Sequence, residues 1–118
     1  MNHNKSLGQI GEDLAVRFLE KRGYNIEHRN LKIKYKEIDI IATKEKEIIF
    51  VEVKSRTKND FADISQVINI AKLSNFRRAA ELFLYFNYTD FSPRLDLVFI
   101  VFDIGKKSAN IKHIKSIC

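Results

Sequence analysis

The chain has 118 residues, 45% of them hydrophobic, with 21 Lys and Arg against 15 Asp and Glu and a formal net charge of +6. That is one domain, long enough to bury a core without disulfides or a structural metal, and its composition excludes collagen-like, coiled-coil and disordered chains. The lone cysteine, Cys118, excludes an intramolecular disulfide, and no Cys/His pair has zinc-finger spacing. No apolar leader opens the chain, and its longest apolar run, Leu97 to Phe102, is far short of a membrane span. The expectation is a cytoplasmic protein without membrane contact, whose positive charge favours an anionic partner, nucleic acid first.

Leu7, Ile10, Leu14, Ala15, Phe18 and Leu19 form one apolar stripe at helical spacing, and Gly23 after Lys21-Arg22 is a helix stop, so a first helix is predicted over residues 7 to 22. Tyr24, Ile26, Leu31, Ile33 and Tyr35 alternate with polar residues as in strands. Glu37 to Thr43 and Ile48 to Ser55 read as two further strands joined by a short polar loop, an antiparallel hairpin. A second helix is expected from Ala71, Phe76, Ala79, Ala80, Phe83 and Leu84, with Asn69 as its N-cap. Asp60 to Ile68 reads equally as an extended connection or an earlier turn of that helix. Arg94 to Phe102 is a buried strand, and Gly105 marks a turn before a weaker strand at Ile111 to Ile114. The order is α-β-β-β-α-β-β, an α/β domain.

With Glu45 and Lys46 as the loop residues, the hairpin register pairs Lys44 with Glu47, Ile41 with Phe50, Ile40 with Val51 and Ala42 with Ile49. Continued, it sets Ile38 against Val53 and Asp39 against Glu52. Two opposed carboxylates roughly 5 Å apart at Cβ repel unless a cation lies between them, and Mg²⁺, which takes one or two protein carboxylates and keeps sites for water and phosphate oxygens, is the natural occupant. Lys54 projects from the face of Glu52, where it can stabilise charge on a scissile phosphate. A solvated sheet surface with weakly paired charges is the plain alternative. Against it stand the apolar neighbours Ile40-Ile41 and Ile48-Ile49-Phe50-Val51, which mark the strand pair as central, where unpaired acids are costly. Glu12 lies at the rim of the first helix's apolar stripe and reaches the edge of whatever that helix covers.

Gly11-Glu12-Asp13-Leu14-Ala15, Gly23-Tyr24-Asn25-Ile26, Arg29-Asn30, Glu37-Ile38-Asp39-Ile40-Ile41-Ala42, Phe50-Val51-Glu52-Val53-Lys54-Ser55-Arg56, Lys72 and Arg94-Leu95-Asp96, in this order and spacing, resemble the bacterial YraN family. Those proteins are predicted endonucleases of the PD-(D/E)XK, restriction-endonuclease-like superfamily, similar to archaeal Holliday junction resolvases. The resemblance runs from about Leu7 to Phe102. It implies an α-β-β-β-α-β core with a central mixed sheet flanked by helices, and Mg²⁺- or Mn²⁺-dependent hydrolysis of phosphodiester bonds in DNA, branched or structured. By position it implies a metal site of Asp39 and Glu52, a catalytic Lys54, an additional acid at Glu12 and a basic second-helix position at Lys72 facing the site or the substrate. Branched-DNA cleavage by relatives suggests a homodimer. The chain departs from the family in having Lys36 where a glycine precedes the Glu-Ile-Asp triplet, and Asn69-Ile70 where a Thr-Pro helix start is usual.

Lys32, Lys34 and Lys36 read as a basic row on one strand face, able to track phosphates or to guard a sheet edge, and Arg56, Arg77 and Arg78 extend it. His3, His28 and His113 read as ordinary polar positions, and Tyr85, Phe86, Tyr88 and Phe91 as core or subunit contacts. The reading is a Mg²⁺-dependent nuclease; the alternatives are a catalytically silent nucleic-acid-binding module of the same fold, or a scaffold.

Overall fold

The computed structural model describes residues 5–58 and 70–117, with the backbone alone for 70–72. Its elements run α1 (Leu7–Lys21), β1 (Asn25–Ile33), β2 (Lys36–Lys44), β3 (Glu47–Thr57), α2 (Ile70–Phe86), β4 (Ser92–Asp103) and β5 (Ser108–Ile114). The expected N-cap Asn69 and the ambiguous Asp60 to Ile68 lie outside the described residues.

Helix α1 begins on a capping box: the Ser6 hydroxyl accepts from the Gln9 N–H and the Gln9 side chain accepts from the Ser6 N–H. It ends at Gly23, whose φ of +88° suits the left-handed turn that closes a helix. The sheet order is β1-β2-β3-β4-β5, antiparallel except for the parallel β3/β4 pair. A parallel pair needs a long crossover, and the chain between these two strands carries α2.

Each helix covers one face. Ala15, Leu19, Tyr24, Ile40, Ala42, Ile49, Val51, Val98, Ile100 and Phe102 form the core beneath α1, while Ile38, Ile41, Ile48, Phe50, Phe76, Ala79, Ala80 and Phe83 form the core beneath α2. The near-continuous apolar runs of β2, β3 and β4 follow from this two-sided burial. At the β2/β3 turn Glu45 and Lys46 both have positive φ, the mirror-image turn whose twist suits a two-residue hairpin. The expected register holds from Lys44↔Glu47 to Ile40↔Val51.

Beyond that point the structure corrects the expectation. Asp39 and Glu52 do not face each other across a continued ladder; the Val53 N–H donates instead to Asp39 Oδ2 at 2.8 Å. Ile38 also leaves the side of Ile40 and joins Ile41 under α2. On the neighbouring strand Asn30, between the pairs Arg29↔Ile40 and Leu31↔Ile38, takes a φ of +50°. Two half-buried like charges held opposite one another would repel; opening the ladder gives Asp39 a backbone donor instead.

Candidate active site

Gly11 brings the first acid into place. A Cβ there would collide with the Ser55 hydroxyl and crowd the Ser55 Cβ at 3.3 Å, with Ile100 Cδ1 in ordinary contact at 3.5 Å, so the absence of a side chain lets α1 lie directly on β3 and β4. The next residue, half-buried Glu12, is thereby delivered to the sheet beside β1. Arg29 Nη2 lies 3.4 Å from Glu12 Oε1 and 2.6 Å from Asp13 Oδ1, and Lys5 holds Asp13 from the other side at 2.7 Å. Arg29 and Asn30 belong to the motif order read from the sequence, yet nothing in strand periodicity showed that they would hold Glu12.

Glu52 and Lys54 follow Phe50 on the α2 side of β3, and the Lys54 ammonium sits 3.2 Å from Glu52 Oε1. Both line a cleft of about 330 Å³ together with Tyr35, Lys36, Glu37, Phe76 and Leu97. A second cleft, on the α1 side, is lined by Glu12, Asp13, Arg29, Asn30, Lys32 and Glu37. Glu37 borders both. Asp39, where β2 and β3 part, stands electrostatically between them.

That position shows in its protonation. Burial, and then the charge of Glu52, push the Asp39 carboxyl up to about 7; Glu12 adds to the effect, while the Val53 N–H and Lys54 oppose it. Glu12 is raised as well, by burial and by Glu37, with Arg29 pulling the other way. Two acids and one lysine thus act on the Asp39 carboxyl, and this buried group resists ionising. Among the described residues no three His, Cys, Asp or Glu side chains form a ready-made metal cage. A hard divalent cation needs less: a pair of oxygen donors whose mutual charge calls for neutralisation fits Mg²⁺, which leaves most of its shell to water and substrate.

The other expected residues disperse. The basic row is not on one strand face, because the chain reverses at Lys34 and Tyr35: Lys32 and Lys34 flank the end of β1, and Lys36 opens β2. Lys36 enters the Glu52 cleft, Lys32 the Glu12 cleft, and the Lys34 ammonium lies 5.4 Å from the Phe86 ring centre. Strand β1 is a sheet edge, so edge protection also accounts for its lysines. Half-buried Arg56 donates to the Ser55 carbonyl at 3.0 Å. Lys72 starts α2, but its side chain lies outside the described residues. Tyr85, Phe86 and Tyr88 are exposed rather than core.

His113 is no ordinary polar position. It lies 2.7 Å from Asp96, a completely buried carboxylate that also receives Arg94 at 2.8 Å and the Ser116 N–H at 3.0 Å. Arg94 reaches on to the Tyr24 hydroxyl at 2.7 Å and to Glu47 at 3.0 Å. Burial alone would raise the Asp96 carboxyl, but the hydrogen bonds from His113, Arg94 and Ser116 outweigh it and hold it below the usual range. This network ties β4 to β5 and to the end of α1; its alternating Arg-Leu-Asp gave no sign of that partnership.

The chain matches the model of "Uncharacterised protein family UPF0102" over residues 11–100. It is 36% identical over 115 residues to a UPF0102 protein of Bacteroides thetaiotaomicron, covering 98% of this chain and 93% of that one. To a UPF0102 protein of Clostridium perfringens it is 38% identical over 114 residues, covering 96% and 93%. Among solved structures it is similar to an FdxN element excision controlling factor protein from Anabaena variabilis, with a TM-score of 0.50 and 16% identity over 89% of this chain and 98% of that chain, a likeness of fold alone. Among the described residues no helix is long and apolar enough to cross a membrane.

Proposed function

From the premise that this chain belongs to UPF0102, the YraN family, we propose that it is a divalent-metal-dependent nuclease that hydrolyses phosphodiester bonds in DNA, with branched or structured DNA as the substrate class. The observation that carries this reading is that Glu52 and Lys54, 3.2 Å apart, line a cleft, and that the charges of Glu52 and Glu12 both act on the neighbouring, largely buried Asp39 carboxyl, pushed up to about 7. Stability alone does not call for such an arrangement, since two or more acids brought together without a cation oppose folding.

Asp39 and Glu52 would hold Mg²⁺ or Mn²⁺, which would supply Lewis-acid neutralisation of the phosphate and an acidified water. The remaining roles belong to the chain. The Val53 N–H fixes the Asp39 carboxylate so that one oxygen is anchored and the other stays available. Lys54, released from Glu52 as charge is redistributed, places its ammonium where negative charge grows on the phosphoryl oxygens. Glu12, restrained by Arg29, orients a water or accepts a hydrogen bond at the rim. Lys36, Arg56 and Lys72 are the cations proposed to guide the strand's phosphates toward the cleft.

A second reading, a silent nucleic-acid-binding module, rests on one observation: Lys54 pairs with Glu52 and Arg29 with Glu12, so two of the acids already have internal counter-charges. A panel of labelled duplex, flap, four-way junction, single-stranded DNA and RNA, with Mg²⁺, Mn²⁺ or EDTA, separates the two. Cutting that vanishes in EDTA and in Glu52→Gln, with binding kept, supports the nuclease. Salt-sensitive binding without cutting in any metal supports the module, and indifference to every nucleic acid defeats both.

A further inference from the structure

The β1/β2 hairpin ends in a two-residue turn whose composition the turn does not require. Ile33 pairs with Lys36, leaving Lys34, at a φ of +56°, and Tyr35 to reverse the chain. Such turns favour Asn, Asp and Gly, and neither position gains from an aromatic ring. Nor does packing account for it: Tyr35 is 104% exposed, whereas large rings normally stabilise by being covered. Among the described residues no aromatic ring or cation stacks on it. Yet Tyr35 borders the same cleft as Glu52 and Lys54, with Lys36 next to it in that wall.

We infer that Tyr35 is a specificity-determining residue that stacks on an unpaired nucleobase next to the phosphate held at Glu52 and Lys54. This rests on the nuclease reading and deepens it by naming what is selected: a strand whose base is free of its partner, as opposed to continuous duplex. The chemistry is general. An exposed tyrosine offers a π-face to any base, and stacking of this kind tolerates sequence. The lysines on either side supply the charge that a backbone needs to run past the ring. A base in uninterrupted duplex is already stacked on both faces and has none to give, so the tip discriminates by pairing state without reading sequence.

The test uses the full chain carrying Glu52→Gln to suppress cutting, alone and combined with Tyr35→Ala or Tyr35→Phe. Oligonucleotides carry 2-aminopurine, whose fluorescence is quenched by stacking, stepped along a single strand and along the matching duplex. The expected result is strong quenching at one position of the bound single strand, kept by Tyr35→Phe and lost in Tyr35→Ala. Single-strand affinity should drop about tenfold in Tyr35→Ala while duplex affinity stays level. Since Tyr35 is fully exposed, an unchanged melting temperature checks that folding is intact. Equal quenching with and without the ring, or an equal loss of affinity for both substrates, overturns the inference, as does failure to bind any strand. Quenching without cleavage by the native chain in any metal sinks the nuclease reading and spares this one; cleavage of duplex and single strand alike, undiminished in Tyr35→Ala, does the reverse.

Discussion

Replacing Asp39 by asparagine should make the metal-free protein more stable at alkaline pH. The carboxyl is pushed from 3.8 to about 7 in the folded state, first by burial and then by Glu52, so the folded protein binds a proton that the unfolded chain has already released. For an acid shifted upward the sign is unfavourable: no cost exists below the unfolded value near 4, it accumulates as pH rises, and it is complete above about 7. A shift of roughly 3 units corresponds to about 4 kcal/mol at pH 8, or about half that once water reaching a half-buried carboxyl is allowed for. Asparagine keeps an oxygen for the Val53 N–H and cannot ionise. In EDTA, Asp39→Asn should therefore melt roughly 10 °C above wild type at pH 8 and within a few degrees of it at pH 4.5. Millimolar Mg²⁺ should raise the wild-type midpoint at pH 8 and leave the variant unmoved. Thermal denaturation followed by circular dichroism across that pH range gives both curves. A variant less stable than wild type at pH 8 in EDTA, or a difference that does not vary with pH, would refute the claim that Asp39 is strained by its neighbours.

Asp96→Asn should behave in the opposite way, costing about 3–5 kcal/mol in urea denaturation at pH 7 because the largely buried Arg94 would be left without its counter-charge and His113 would face an amide in place of its carboxylate partner; a cost under about 1 kcal/mol would show the network to be dispensable. Gly11→Ala should destabilise by about 1–3 kcal/mol through its clash with Ser55. Ser55→Ala, which removes a buried hydroxyl that has no hydrogen-bond partner among the described residues, should be neutral or better and should restore much of the loss in the double variant; simple additivity would disprove the contact. Lys54→Met should reduce cleavage at least a hundredfold while leaving DNA affinity within a few-fold, measured by gel assay and anisotropy; a parallel loss of both would recast Lys54 as a binding residue. Arg29→Ala should raise the Glu12 carboxyl further, because its main counter-charge is gone, and shift the acidic limb of the cleavage profile to higher pH; an unmoved acidic limb would remove Glu12 from the reaction.

Local pattern carried much of this. The spacing of Leu7 to Leu19, the polar pair Glu45-Lys46 and the apolar runs of β2, β3 and β4 were enough for the element order, the hairpin register from Lys44 to Ile40 and the side of β3 on which Glu52 and Lys54 project, because helical and strand periodicity and turn chemistry act over a few residues. What lay beyond their reach depended on partners distant in the chain. Alternation placed Asp39 opposite Glu52, but the repulsion of two half-buried charges and the left-handed Asn30 on β1 open the ladder there. The basic row became three lysines bound for different places because the hairpin reverses through its middle. Arg29 as the restraint on Glu12, His113 against Asp96 and Arg94 against the Tyr24 hydroxyl follow from side chains 17 to 70 residues apart meeting in space. Charge interactions depend on distance and on exclusion of water, and those quantities come into being only when the helices close on the two faces of the sheet.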